Sequence, residues 1–387
     1  MASHVPEGYA PDRMRRYMAH FTSEAHLDGG KLGSTTDEER QARQREYTAV
    51  AKDYYDLVSP LYEQGWGQRF HYTPMAPGLS IDASMTEYEH EFARLAGLRA
   101  GMRVLDIGCG IGGPARTLAR RVGCHIVGLS NNAWHIERGT ALTKESGFEE
   151  LVSFVQGDLM KLPFDDATFD AVYVFEALCY APDPAAAYSE VWRVLKPGGL
   201  FALTDWAMTD RFVEGNLHHR GVRNWIEFGN GITRMPRVAE MRAALAETGF
   251  EVLHEENMAY RSHPGPWYFG PAGDVRWATT WGDFWKVFTM SPAFLFVVNG
   301  VYRLLVLVGI LPREVLALID TMWYCCRSVA MGGQLDIFTP MYLFATRKPG
   351  AGGDGKGKNK DKAGKGKGKG TGKGTGKGTG KGKEKSG

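Results

Sequence analysis

The chain has 387 residues, 43% of them hydrophobic, and a formal net charge of +2. That length holds one large globular domain or two small ones, and the apolar fraction is ordinary for a folded protein. The charge is uneven: 12 lysines against Asp354, Asp361 and Glu384 put the stretch from Gly350 onward at +9 and everything before it at −7, so the body offers no basic face for specific nucleic-acid binding.

Residues 1–45 form a polar segment without the apolar stretch of a secretory signal. A helix is predicted around Glu38 to Tyr54. Residues 46–99 read as a helical cap. Within it, Tyr54, Tyr55, Tyr62, Trp66, Phe70, His71 and Tyr72 crowd a short stretch, with Glu63 among them. A packed helix face accounts for such aromatics. So does a wall that shields a cation, because aromatic faces stabilise positive charge without reacting with it. A second helix, Ile81 to Gly97, carries Glu87, Glu89, His90 and Glu91. His90 reads either as a structural residue or as a base.

Residues 100–255 are the core. Val104, Leu105 and Ile107 read as a buried strand entering a glycine turn, with a helix starting near Pro114. Gly108, Gly110 and Gly113 keep the G-x-G-x-x-G spacing around Cys109. Glycine allows the sharp turn and a close ligand approach, and the N–H groups at the following helix start suit a polar ligand end. The second strand, His125 to Leu129, ends in Ser130, Asn131 and Asn132. It lacks the acid that dinucleotide folds place there for the ribose diol. Asp106 lies just before the glycines, where its carboxylate can meet an ammonium. A third strand, Ser153 to Gln156, runs into Gly157, Asp158 and Leu159. A fourth, Phe169 to Phe175, ends on Glu176. Polar strand ends along one carboxyl edge fit a small zwitterionic nucleoside such as S-adenosylmethionine. Asp158 reads as an acceptor for an adenine amino group.

A fifth strand (Leu200 to Trp206) follows the turn Leu195 to Gly199. A sixth (Gly249 to Glu255) and a seventh (Met341 to Thr346) complete the set. The predicted class is α/β: a seven-stranded Rossmann-like sheet with an N-terminal helical cap and a large apolar insertion between the last two strands. Residues 256–349 hold that insertion and the last strand. It is rich in aromatics from Trp267 to Phe288 and continues in the apolar run Phe294 to Leu311. Arg303 is costly inside a bilayer span. The favoured reading is a lid over an apolar pocket, compatible with a helix that dips into a membrane surface. Residues 350–387 repeat lysine and glycine and cannot build a core, so they read as a disordered tail. Cys109, Cys124, Cys179, Cys325 and Cys326 make no C-x-x-C pair and no zinc spacing, so no metal is expected.

VLDIGCGIGGPA, GLSNN, GDLMKLPFDDATFDAVYVFEALCYAP and EVWRVLKPGG together resemble the class I S-adenosylmethionine-dependent methyltransferases. YEQGWGQRFHY, Glu89-His90, EFGNGI and IFTPMYLFATRKP narrow the resemblance to the sterol 24-C-methyltransferases, over about residues 50–349. The resemblance implies carbon methylation of a sterol side-chain double bond through a carbocation. It assigns Tyr62 and Trp66 to shielding that cation and Glu63 or His90 to removing the proton. S-adenosylmethionine is expected over Asp106 to Gly113, with Asn131 or Asn132 near its ribose and Asp158 near its adenine. Ser130, Leu178, Tyr180 and Thr204-Asp205 depart from the family's usual residues, which leaves another isoprenoid alkene, such as a linear triterpene, as an alternative acceptor. A lipid-binding relative without catalysis is the reading from another class. The expected partners are the lipid substrate, a membrane contacted peripherally and, as an option, a second copy of the chain. The expected location is cytoplasmic on a membrane surface, the endoplasmic reticulum in a eukaryote.

Overall fold

The computed structural model describes residues 16–21, 36–311 and 314–350. The lysine/glycine tail lies outside the described residues, as does most of the polar N-terminal segment. Seven strands form one sheet: β1 (Arg103–Ile107), β2 (His125–Ser130), β3 (Val152–Gln156), β4 (Phe169–Phe175), β5 (Leu195–Met208), β6 (Glu251–Asn257) and β7 (Phe338–Arg347). Their order is β3-β2-β1-β4-β5-β7-β6. The first five pair in parallel, and β7 runs antiparallel between β5 and β6.

A parallel sheet covered on both faces needs apolar residues on both, and the strands supply them at period two. Val104 of β1 and Ala171, Tyr173 and Phe175 of β4 pack into one core. Leu105, Ile107, Val172 and Val174 pack into the other. The predicted turn at Lys196-Pro197-Gly198-Gly199 falls inside the longer β5, where the pairing with β4 shifts register as a bulge between Phe169 and Ala171.

The single N-terminal helix expected over Glu38 to Tyr54 is two helices, α1 (Asp37–Arg45) and α2 (Tyr47–Gly65), broken at Glu46. Thr36 and Glu39 close α1 with a capping box. Arg40 of α1 reaches 2.6 Å to the buried Glu227 carboxylate, which also accepts from Met235 N at 2.9 Å. The next helix, α3 (Ile81–Leu95), buries Met85, Tyr88, Glu89 and Phe92, an i, i+3, i+4, i+7 face. The insertion, residues 258–337, lies between β6 and β7 as expected. Helices α4 (Gly113–Val122), α5 (Ala133–Glu145), α6 (Pro184–Val194), α7 (Leu217–Gly229) and α8 (Val238–Thr248) precede it, and within it follow α9 (Phe269–Ala272), α10 (Trp281–Phe288), α11 (Pro292–Leu307) and α12 (Glu314–Gln334). Asp283 of α10 ties it to the cap, accepting from Ile81 N at 3.3 Å and from Thr279 Oγ1 at 3.0 Å.

Candidate active site

Strand ends rarely stay idle in an open α/β sheet, because the crevice outside their carboxyl ends is where ligands bind. Here that edge encloses a cavity of about 890 Å³, its open mouth included. Asp106, Gly108, Cys109, Gly110, Ser130, Asn131, Gly157, Asp158, Leu159 and Glu176 all line it. Tyr47, Tyr55, Phe70 and His71 from the cap, Phe175 at the end of β4 and Tyr180 from the turn after it supply aromatic wall.

The glycine turn works differently from its spacing. Gly108, Gly110 and Gly112 have φ of +78°, +51° and +76°, a region that L side chains rarely adopt. A Cβ on Gly108 would sit 2.1 Å from the Ala177 Cβ. Gly113, the third residue of the predicted fingerprint, does not line the cavity. It lets α4 (Gly113–Val122) pack against the cap, since a Cβ there would lie 2.1 Å from the Gln68 carbonyl oxygen. Asn132 also stands back from the cavity. Its side chain caps α5 (Ala133–Glu145) through His135 N and donates to Asp56 at 2.9 Å.

Asp106 is fully buried. Burial pushes its carboxyl up to about 7, against the pull of the Tyr173 hydroxyl that donates to it at 2.8 Å. No ion pair joins it among the described residues. A buried carboxylate without a cation is costly, and a ligand ammonium offsets that cost. Asp158 accepts from the Tyr47 hydroxyl and, at 2.9 Å, from Met160 N. The residues therefore fit S-adenosylmethionine: glycines where its backbone approach needs room, a carboxylate for its ammonium, and acceptors at the ends of β2 and β3.

A pH dependence follows. The raised group holds its proton below its pKa, and a cationic ligand needs the ionised form. Affinity for S-adenosylmethionine is expected to fall roughly tenfold for each unit below about pH 7, with proton uptake by the free protein released on binding. Calorimetric titration in buffers of different ionisation enthalpy reads both quantities.

Tyr62, Glu63, Trp66 and His90, expected from the sequence as catalytic, do not themselves line this cavity. Glu63 is held by Arg138 through both carboxylate oxygens, at 2.6 to 3.1 Å, and does not line the cavity. His90 does not line it either; its neighbour Glu89 occupies the buried face of α3. Tyr62 shares a 2.5 Å hydroxyl contact with Tyr54. Trp66 packs edge-on to Tyr72 at 5.7 Å. His71, one of the cap's aromatic cluster, is on the cavity wall. Its Nδ1 donates to the Tyr72 carbonyl at 2.7 Å, its Nε2 meets Glu89 at 3.0 Å, and its ring stacks on Phe175. The signal for Glu89 was its place on the helix's apolar face.

Glu176 is the second surprise. It has a φ of +55°, a strained backbone for a side chain of its size. One carboxylate oxygen accepts from Tyr72 N and the other from the Trp206 indole, each at 2.6 Å. Tyr72 in turn packs against Trp66, Trp206 and Trp267. Burial holds the Glu176 carboxyl well above the usual range, the Trp206 and Tyr72 donors opposing it. The Tyr72 backbone is thus strung between His71 and Glu176. Trp267 is where the insertion reaches this network. No described residue of the insertion lines the cavity itself; through Trp267 the insertion packs behind the aromatic wall. Tyr180, one of the departures from the family pattern, keeps a polar group on the wall: its hydroxyl donates to the Asn230 carbonyl at 2.9 Å and accepts from Tyr55 at 3.0 Å.

Comparisons with known proteins agree with this arrangement. A methyltransferase domain model matches residues 105–203, and a model of the sterol methyltransferase C-terminal region matches residues 285–350. A sterol 24-C-methyltransferase of Gibberella zeae is 42% identical over 84% of this chain and 86% of its own. One from Neurospora crassa is 39% identical over the same shares. Among solved structures, the cyclopropane synthase MmaA2 from Mycobacterium tuberculosis superposes with a TM-score of 0.60 at 14% identity, over 78% of this chain and 98% of its own. A geranyl diphosphate methyltransferase in complex with GPP and sinefungin gives 0.56 at 15% identity, over 78% and 99%. These two likenesses concern the fold, whereas the identities over most of both chains carry the assignment: the chain belongs to the sterol 24-C-methyltransferase family.

Proposed function

We propose that the protein transfers a methyl group from S-adenosylmethionine to a carbon of a sterol side-chain double bond, in sterol biosynthesis. The observation that carries this reading is the pairing of two things in one cavity. A glycine turn with a buried carboxylate, Asp106, faces a wall of aromatic rings that contains a second buried carboxylate, Glu176. When bound, S-adenosylmethionine supplies an electrophilic methyl on a sulfonium.

The chain's own residues do the rest. Asp106 fixes the ammonium, and the glycine backbone and Asp158 set the depth of the nucleoside. The side-chain alkene takes the methyl and is left as a carbocation, which a hydride shift within the substrate relocates. Tyr55, Phe70, Phe175 and Tyr180 exclude water, which would otherwise quench that cation to an alcohol. Their faces, with Glu176 behind them, offset its charge. Glu176 then accepts the proton that closes the new alkene. A cation beside it pulls its raised pKa down, so it is ionised when the step needs it. His71 and Glu89 position Tyr72, whose N–H orients Glu176.

The acceptor is tested with purified protein, labelled S-adenosylmethionine and a panel of a Δ24 sterol, a 24-methylene sterol, squalene and a phenolic quinol. Label on the Δ24 sterol is the expected result. Label on squalene alone would move the reading to a linear triterpene, and label on the quinol alone would overturn the alkene chemistry. Binding of sterol without any transfer would point to a lipid carrier.

A further inference from the structure

Helix α2 turns one stripe toward the cavity. Tyr47, Ala51 and Tyr55, at i, i+4 and i+8, all line it. Val50 and Tyr54 on the neighbouring stripe are buried and seat the helix against Phe228. Tyr47 is the first residue of α2, directly after the break at Glu46. Docking of α1 fixes that end. Arg40 reaches the buried Glu227 at 2.6 Å, and Gln44 Nε2 donates to the Pro182 carbonyl at 3.4 Å.

The Tyr47 hydroxyl donates to Asp158 Oδ1, the oxygen that also accepts from Met160 N at 2.9 Å. Two donors, one from the cap and one from the loop after β3, thus hold the same carboxylate oxygen. Among the described residues nothing donates to Oδ2, and Asp158 lies on the cavity wall. The carboxylate has one oxygen left for a ligand and cannot turn it away without breaking both bonds. A carboxylate accepts and does not donate. Adenine presents its exocyclic amino group as a donor, whereas hypoxanthine presents a carbonyl oxygen at the same place, an acceptor. Oδ2 bonds the first and repels the second. A site built to take a ligand N–H rejects an analogue without it strongly.

We infer that Tyr47 determines nucleoside specificity: by holding Asp158 Oδ1 it fixes Oδ2 as the acceptor for the adenine amino group and excludes hypoxanthine nucleosides. The inference rests on the proposed function only for the identity of the nucleoside, S-adenosylmethionine. Its evidence is the bond between Tyr47 and Asp158 and the stripe of α2 on the cavity wall.

The test uses the full chain with S-adenosylhomocysteine and S-inosylhomocysteine, read by calorimetric titration, with a thermal melt as control. Wild type is expected to bind S-inosylhomocysteine roughly a hundredfold more weakly, or worse. Tyr47→Phe keeps the ring and removes the hydroxyl. It is expected to weaken S-adenosylhomocysteine about threefold to tenfold and to leave S-inosylhomocysteine nearly unchanged, so the ratio narrows by that factor. Asp158→Asn tests the fixed orientation. Both donors must face the amide oxygen, which leaves the NH₂ for the base, and the preference is expected to move toward S-inosylhomocysteine. A Tyr47→Phe protein with the wild-type ratio would overturn the inference, whether it binds both ligands as before or loses both equally. Tighter binding of S-adenosylhomocysteine by that variant would overturn it too, since Tyr47 would then compete with the base for Asp158. So would a wild type that holds the two ligands alike. Wild type that separates the two ligands but methylates no sterol would count against the proposed function and support the inference.

Discussion

Asp106→Asn is expected to weaken S-adenosylmethionine binding by roughly 30-fold or more, the loss that follows when one partner of a buried charge pair is removed at about 2 kcal/mol or above. Asparagine keeps the shape, and its amide oxygen can still accept from the Tyr173 hydroxyl, so the fold should hold. The measurement is calorimetric titration, with a thermal melt as control. The pH dependence described above should vanish in the same variant, because the group that titrates near 7 is gone. A variant that binds as tightly as wild type would remove Asp106 from the ammonium site.

Glu176→Gln is expected to lower turnover by roughly a hundredfold to ten-thousandfold, the usual range for removing a positioned proton acceptor. Affinity for S-adenosylmethionine should change far less. Glutamine brings an amide NH₂ toward one of two donors, Tyr72 N and the Trp206 indole, so a melt must accompany the kinetics. Glu176→Asp separates the roles: it restores charge without reach, and partial recovery of turnover is expected. Glu63→Gln is the contrasting case. Its partner Arg138 is more than one third exposed, and an exposed pair of this kind contributes about 0.2 to 1 kcal/mol. Turnover close to that of wild type is expected, because Glu63 does not line the cavity. If Glu63→Gln abolished turnover and Glu176→Gln did not, the assignment made from the sequence pattern would stand over the one made from geometry.

Much of the framework is legible in the sequence. Buried strands in a parallel sheet announce themselves as short apolar runs, and glycine and polar residues at their ends announce the ligand edge. Ten of the residues expected at the nucleoside line the cavity for this reason. What stayed hidden was three-dimensional. Spacing picks out Gly113, but the left-handed backbone falls on Gly112, and Gly113 answers instead to a carbonyl from the cap. A helix shows which residues share a face, yet not which one meets a residue from a distant loop, so the pattern points to His90 and is silent on the His71 to Glu89 contact. Glu63 reads as catalytic within its motif, and the motif does not show that Arg138, from a helix far along the chain, holds it. The insertion's apolar character is plain in the sequence; that it packs on Tyr72 through Trp267 depends on packing that no periodicity records.

The central claim is that this cavity adds a carbon to an olefin rather than a methyl to an oxygen or nitrogen. Turnover of trideuteriomethyl-labelled S-adenosylmethionine with a Δ24 sterol, followed by mass spectrometry and carbon NMR of the product, tests it most directly. The account predicts a new carbon–carbon bond on the side chain, carrying deuterium, in a product that retains its ring hydroxyl. Deuterium bound through the hydroxyl oxygen, or an unmodified sterol recovered from protein that binds S-adenosylmethionine normally, would contradict it.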